Sequence, residues 1–183
     1  NGFRQSAMGT FDDVNAISKI AVNTHLAGAA GTVAGAAITR LMAGKTDIVM
    51  MLNGALAGLV AITAEPLTPS PLLAILIGFV GALIMYFGTK FLESLQLDDV
   101  VGAIPVHMFA GIFGTLVVPA SNPDTNFGTQ FLGVISVCVF SFVLSYIVFR
   151  TMKATIGLRI SKEAEKLGTD KAEVGVVAYS LRD

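Results

Sequence analysis

The feature that most constrains this chain is a series of five apolar runs, at residues 14–42, 48–64, 72–91, 100–118 and 128–152. About 20 mostly apolar residues carry an α-helix through roughly 30 Å of hydrocarbon. In that solvent backbone N–H and C=O groups find no water and must bond within their own segment. The series therefore predicts an all-α integral membrane protein with five transmembrane helices. Composition agrees, since 54% of the 183 residues are hydrophobic and only 14% are charged, against roughly 25% charged in soluble domains. The second run is short and contains Asn53, whereas the fifth carries no charge over residues 128–149.

Basic residues alternate between the connections. Arg40 and Lys45 follow the first run, Lys90 closes the third, and seven Lys and Arg residues from Arg150 to Arg182 follow the fifth, with none in 65–71 or 119–127. Cytoplasmic connections carry the excess of Lys and Arg, so the first, third and last connections and the C-terminus are expected inside. Residues 1–13, 65–71 and 119–127 then face outward, and the chain is multi-pass in the cell membrane.

Other classes are excluded. The net charge of −1 gives no footprint for nucleic acid. Cys138 is the only cysteine and lies in an apolar run, which rules out an intramolecular disulfide and predicts a buried small side chain. No nucleotide-binding glycine loop, zinc-protease helix or CxxC pair is present, so neither an enzyme nor a metal or cofactor site is expected. The first residue is Asn1 and no signal peptide is visible, from which the chain is expected to begin inside a longer polypeptide. Small residues recur at helix-contact spacing: Gly31 with Gly35, Gly54 with Gly58, Gly78 with Gly81, and Gly111 with Gly114. Bundle packing explains them.

Polar residues inside the runs are the functional candidates. His107 lies about 10 Å along the fourth run, at ~1.5 Å per residue, and an ionisable group at that depth is a functional candidate by default. Ala103, Gly111 and Gly114 fall at i−4, i+4 and i+7 from it, a stripe of small residues that would border a narrow cavity. A histidine bonded to a neighbouring helix fits the same spacing, and both readings stand. His25 follows Asn23 and Thr24 nearer the outer end of the first run, where a structural or headgroup-level role is expected. Asn53 and Thr63 are read as hydrogen-bonding across helices, each worth on the order of 1 kcal/mol. Lys19 is placed to extend to the outer interface, Asp98 and Asp99 to complement the start of the fourth helix, and Tyr86 and Tyr146 to pack.

The fourth run, with Asp98, Asp99, His107, Gly111 and Gly114 in the order DDxxxxxxxHxxxGxxG, resembles the tenth-helix signature of the ammonium transporter (Amt/Mep/Rh) family. Three more segments agree in order: Val22-Asn23-Thr24 with the Ala/Gly-rich run after it, Asn53-Gly54-Ala55-Leu56-Ala57-Gly58, and Gly157-Leu158-Arg159. The resemblance covers almost the whole chain. It implies helices seven to eleven, one half of an eleven-helix inverted-repeat fold whose site lies between the repeats. Residues 1–153 would form the partial transmembrane region, from the end of helix six, and 154–183 a cytoplasmic tail.

The function so implied is passage of ammonium or ammonia through a narrow hydrophobic pore in each subunit of a homotrimer. His107 matches one of two pore histidines, the other belonging to the missing N-terminal half, and Ala103 and Gly111 match pore-lining positions. Thr63 matches a hydroxyl residue near an external recruitment site. The family's FN(A/G)GS segment falls at Asn1, where an ungapped alignment puts Arg4 at the serine and a small shift puts Ser6 there. A PII-type regulator at the tail is a family partner, although the usual HGExAY ending is replaced here by Val174-Gly175-Val176-Val177-Ala178-Tyr179. The alternative from a different class is the ammonium-sensing domain of a signalling fusion protein.

The charge alternation predicts that single cysteines replacing Ser121 or Asn126 are labelled by an impermeant thiol reagent from outside intact cells. Those replacing Lys162 or Lys166 should be labelled only after permeabilisation, and external labelling at 162 would overturn the topology.

Overall fold

The computed structural model describes residues 11–177, which are helical apart from short connections and contain no strand. They divide into two compact units at Ile135 and Ser136. In the first lie α1 (Phe11–Ala43), α2 (Ile48–Ile62), α3 (Pro71–Ser94), a π-helical turn at Ile104–Phe109 that runs into α4 (Ala110–Val117), and the start of α5 (Phe127–Thr155). The second holds the rest of α5, the short α6 (Lys162–Leu167) and a π-turn at Asp170–Val174.

Three helices, α1, α3 and α5, are long and apolar enough to cross a membrane, while Ile48–Ile62 and Ile104–Ala120 are shorter apolar helices. Local chemistry sets the starts. The Asp47 carboxylate accepts the Met50 N–H at 3.0 Å, and the Ser70 hydroxyl accepts the Leu73 N–H at 3.3 Å ahead of Pro71, whose missing N–H is harmless in a first turn. One boundary differs from expectation. The fourth helix begins at Ile104 rather than at Val100, because Gly102 takes φ +73° and breaks the helical path, leaving Val100 and Val101 in a turn.

The helices of the first unit meet backbone to backbone. A Cβ on Gly58 or on Gly78 would strike the carbonyl of Ala27, so α2 and α3 both rest on the same turn of α1. The two glycine pairs face each other, Gly31 against Gly54 and Gly58, and Gly35 with its Cβ position 2.7 Å from the Met50 carbonyl oxygen. Ala61 does the same for the next pair: a Cβ on Gly81 would lie 2.8 Å from the Ala61 methyl, and one on Gly114 would meet its carbonyl. Side chains fill what remains, in one cluster of Ala27, Ala61, Ile62, Ala74 and Ile77 and another of Ala57, Met85, Val106 and Ala110. Tyr86 is buried with its ring edge on Phe87, as its packing role predicts.

Polar links tie the connections of this unit together. Asn23, fully buried on α1, donates both amide hydrogens across to the α2–α3 connection, to the carbonyls of Pro66 and Pro69 at 2.9 Å each. That connection joins the one after α4, through Asn122 to Glu65 at 3.2 Å and Thr68 to Ser121 at 3.1 Å. The two segments that charge alternation assigns to one side of the membrane therefore meet at one end of the unit.

Within the second unit, Phe142 and Tyr146 stack at 6.3 Å on α5. Ser161 caps α6 by accepting the Ala164 N–H at 3.1 Å, and Arg159 pairs with Glu165 at 3.1 Å. Cys138 is half-buried, not buried as expected, since no residue of α5 reaches full burial.

Replacing Gly58 by Val forces branched carbons into the Ala27 backbone. Overpacking of this kind costs about 1–3 kcal/mol, so the purified protein should melt at a lower temperature. Gly133→Ala, at a position with no atom within 4 Å of the added carbon, should melt with wild type.

Candidate functional site

His107 sits inside the π-helical turn, and the turn's construction fixes where the imidazole goes. Its first three backbone donors are all accounted for. The Asp99 carboxylate accepts Ala103 N–H and Ile104 N–H at 2.8 Å each, one on each oxygen, and Pro105 has no N–H to satisfy. The first chain bond follows, Val106 N–H to the Gly102 carbonyl at 3.1 Å. At the far end the Ala110 N–H reaches both Pro105 and His107 carbonyls, the first being the i→i+5 bond that widens the turn.

The wide turn sorts its residues into two faces. Pro105, Val106 and Ala110 are buried, Val106 against Ala57 and Met85, whereas Ala103, Ile104, His107 and Met108 are exposed. A Cβ on Gly88 of α3 would lie 3.4 Å from the Pro105 ring and run into Phe109, so α3 closes over the inner face. This corrects the expected stripe of Ala103, His107, Gly111 and Gly114. Ala103 and His107 share the open face, Gly111 is half-buried with Val60 3.6 Å from its Cβ position, and Gly114 is buried on Ala61. The i+4 and i+7 spacing assumed 3.6 residues per turn, and the π-turn adds to it.

The remaining candidates lie apart from His107. Thr63 caps the end of α2, exposed, its hydroxyl bonded to the Leu59 carbonyl of its own helix at 2.6 Å rather than across helices. His25 is exposed on α1 with Nδ1 2.7 Å from the Ala21 carbonyl; as that oxygen only accepts, Nδ1 carries the hydrogen. Asn53 bonds away from its own helix, but to the turn ahead of the fourth helix and not to a helix itself, its Nδ2 donating to the Val101 carbonyl at 3.0 Å. Asn1, Arg4 and Ser6 lie outside the described residues. A cleft of about 220 Å³ opens beside Asp99, lined also by Thr89, Glu93 and Asp98. Glu93 is engaged by Lys90 at 2.9 Å, and among the described residues no three His, Cys, Asp or Glu side chains gather to hold a metal.

Sequence reasoning missed two features. The Asn23 clamp had a signal, an amide in an apolar run together with two prolines in the α2–α3 connection. The π-turn had little, because Gly102 and Pro105 are equally at home at an ordinary helix start.

Comparison with known proteins gives a consistent result. The model of the Ammonium Transporter Family matches residues 2–179. Ammonium transporter Amt2 of Archaeoglobus fulgidus is 40% identical, aligned over 89% of this chain and 39% of its own length. A putative ammonium transporter of Synechocystis, sll1017, is 36% identical over 89% of this chain and 38% of its own. Among solved structures, one described as a sensor Amt protein superposes with a TM-score of 0.78 at 31% identity, over 86% of this chain and 42% of that one. Candida albicans Mep2 superposes at 0.74 and 26% identity, over 87% and 40%. The chain spans about two fifths of the length of the relatives it matches.

Asp99→Ala removes both side-chain acceptors from the start of the histidine-bearing turn. Loss of an N-terminal cap costs about 0.5–2 kcal/mol, so this variant should melt below wild type, and Asp98→Ala should fall short of the same drop.

Proposed function

This chain belongs to the ammonium transporter family, and we propose that it supplies one half of a membrane pore for ammonium or ammonia, with His107 as one of two pore histidines. The carrying observation is the exposed imidazole on an apolar helix whose opposite face is closed by Pro105, Val106 and Ala110. In hydrocarbon that ring would leave a donor and an acceptor unmet, a penalty of about 1–3 kcal/mol. A polar partner on another segment removes it. The second histidine would come from the N-terminal half, and Ala103 and Gly111 would leave room beside His107 for a small permeant.

The chemistry follows from charge. A bare ammonium ion in hydrocarbon costs several kcal/mol or more, and release of a proton removes most of that. Imidazole is the side chain whose proton exchange falls near neutral pH, and it both donates to and accepts from ammonia. In this reading residues 1–153 form the transmembrane part, with five spans out of eleven, and 154–183 form a cytoplasmic tail open to a PII-type regulator. Three copies assemble in the cell membrane. Asn1, Thr63 and either Arg4 or Ser6 would form the external recruitment site, with Thr63 turning its hydroxyl from Leu59 to the ion. A second reading, an ammonium-sensing domain, draws on the likeness to the sensor Amt protein.

Methylammonium uptake by the complete protein in proteoliposomes tests the pore. His107→Ala should fold with wild-type yield and change the uptake rate or the exclusion of Na⁺ and K⁺. Identical uptake and exclusion would reduce His107 to a packing residue, and binding of ammonium without uptake by the wild type would favour the sensor.

A further inference from the structure

The wide turn that carries His107 meets α2 at its entry and again beyond its exit, while α3 closes over its inner face. At its entry the Asn53 amide of α2 donates to the Val101 carbonyl at 3.0 Å. Asn53 Nδ2 also stands 2.8 Å from where a Cβ on Gly102 would be, so the residue that breaks the helix at φ +73° is pressed against the amide that holds it. Five residues beyond the turn's last residue, Phe109, Gly114 of α4 lies on the backbone of Ala61, on the same helix as Asn53 two turns further along. Asn53 is half-buried beside these atoms, and the residue four after Val101 is Pro105, which has no N–H to donate to the Val101 carbonyl in place of the amide.

We propose that Asn53 is a positioning residue for His107. It acts through the backbone rather than by touching the permeant. With Gly114 fixed on Ala61, the residues between Gly102 and Gly114 must fit a span set by α2, and the i→i+5 bond beneath His107 is how they fit. Releasing the entry lets the turn relax towards the narrower α-helical spacing, since an α-helix bonds i→i+4 with better geometry than the rare π form. Each residue of an α-helix advances about 100° around the axis, at 3.6 residues per turn. Loss of the wide turn therefore swings the imidazole away from the open face that Ala103 shares with it. Asp99 secures the same start from within the chain, so Asn53 adds the orientation relative to α2 that a cap alone does not give.

This inference rests on the pore reading of His107, and the experiment separates the two. In proteoliposomes of the complete protein, Asn53→Asp keeps the side-chain shape but turns a carboxylate oxygen towards the Val101 carbonyl. Maximal methylammonium uptake should fall by roughly two- to tenfold, the effect of losing one hydrogen bond, with the half-saturation concentration unchanged because the entrance is untouched. Asn53→Gln, which keeps the donor, should recover part of the rate. The determined structure of the Asn53→Asp protein should show the Ile104–Phe109 turn narrowed and the His107 ring displaced. If Asn53→Asp folds poorly, Asn53→Ser carries the same measurements, being too short to reach Val101. Wild-type uptake, or a variant structure in which the turn and the ring superpose on the parent, overturns the positioning role. His107→Ala in parallel decides the other question: altered transport there with unaltered transport in the Asn53 variants refutes this inference alone, and unaltered transport in His107→Ala refutes the pore reading itself.

Discussion

The carbonyl of Ala27 occupies the place that a side chain on Gly58 or Gly78 would need, and the carbonyl of Ala61 occupies that of a side chain on Gly114. Everything else in the first unit depends on these approaches. Lipid tails are as apolar as leucine, so helices in a bilayer gain nothing by hiding apolar side chains from them, and close van der Waals contact must do the work. Removing side chains at the crossing points brings the backbones near enough for that contact. It also fixes the registers, because a helix that slid by one residue would put a methyl or larger group where only hydrogen fits.

On this frame the polar links are few and placed at the ends. Asn23 donates both amide hydrogens to the carbonyls of Pro66 and Pro69, while its buried Oδ1 has no partner among the described residues. That imbalance has a physical reading, since an unmatched acceptor costs free energy. The side chain tolerates it in exchange for tying a connection that contains two prolines, Pro66 and Pro69, and so lacks two N–H groups of its own. The Glu65–Asn122 and Thr68–Ser121 links extend the same end across to the connection after α4.

Much of this was legible in the sequence. Hydropathy located the apolar helices to within a few residues, and three of them, α1, α3 and α5, are long enough to cross a membrane. The glycine pairs were readable as contacts, and Gly31 and Gly35 do meet Gly54 and Gly58. The alternation of basic residues paired the connections that the fold brings together. Asp99 was foreseen at a helix start, and Asn53 as a link beyond its own helix, though its partner Val101 lies in a turn and not in a second helix. What failed was the face on which Gly114 lies, because the stripe assumed a constant 3.6-residue turn and the local backbone departs from it between Ile104 and Phe109. The residue types from Ile104 to Phe109 carry no pattern that separates a π-turn from an ordinary helical one. The Thr63 hydroxyl was likewise read as bonding across helices, whereas its own helix offers an acceptor at 2.6 Å.

Contacts made by glycine and alanine have a thermodynamic consequence of their own. Freezing a buried Met, Lys or Gln side chain costs up to about 2 kcal/mol in lost rotamers, while Gly and Ala have none to lose. The crossing points at Gly31, Gly54, Ala27 and Ala61 are therefore ordered as soon as the backbone is. Two helices that collide there need no search through side-chain conformations before they fit, so the bundle's assembly is governed by how the backbones approach, and its heat-induced loosening releases little side-chain entropy at these points.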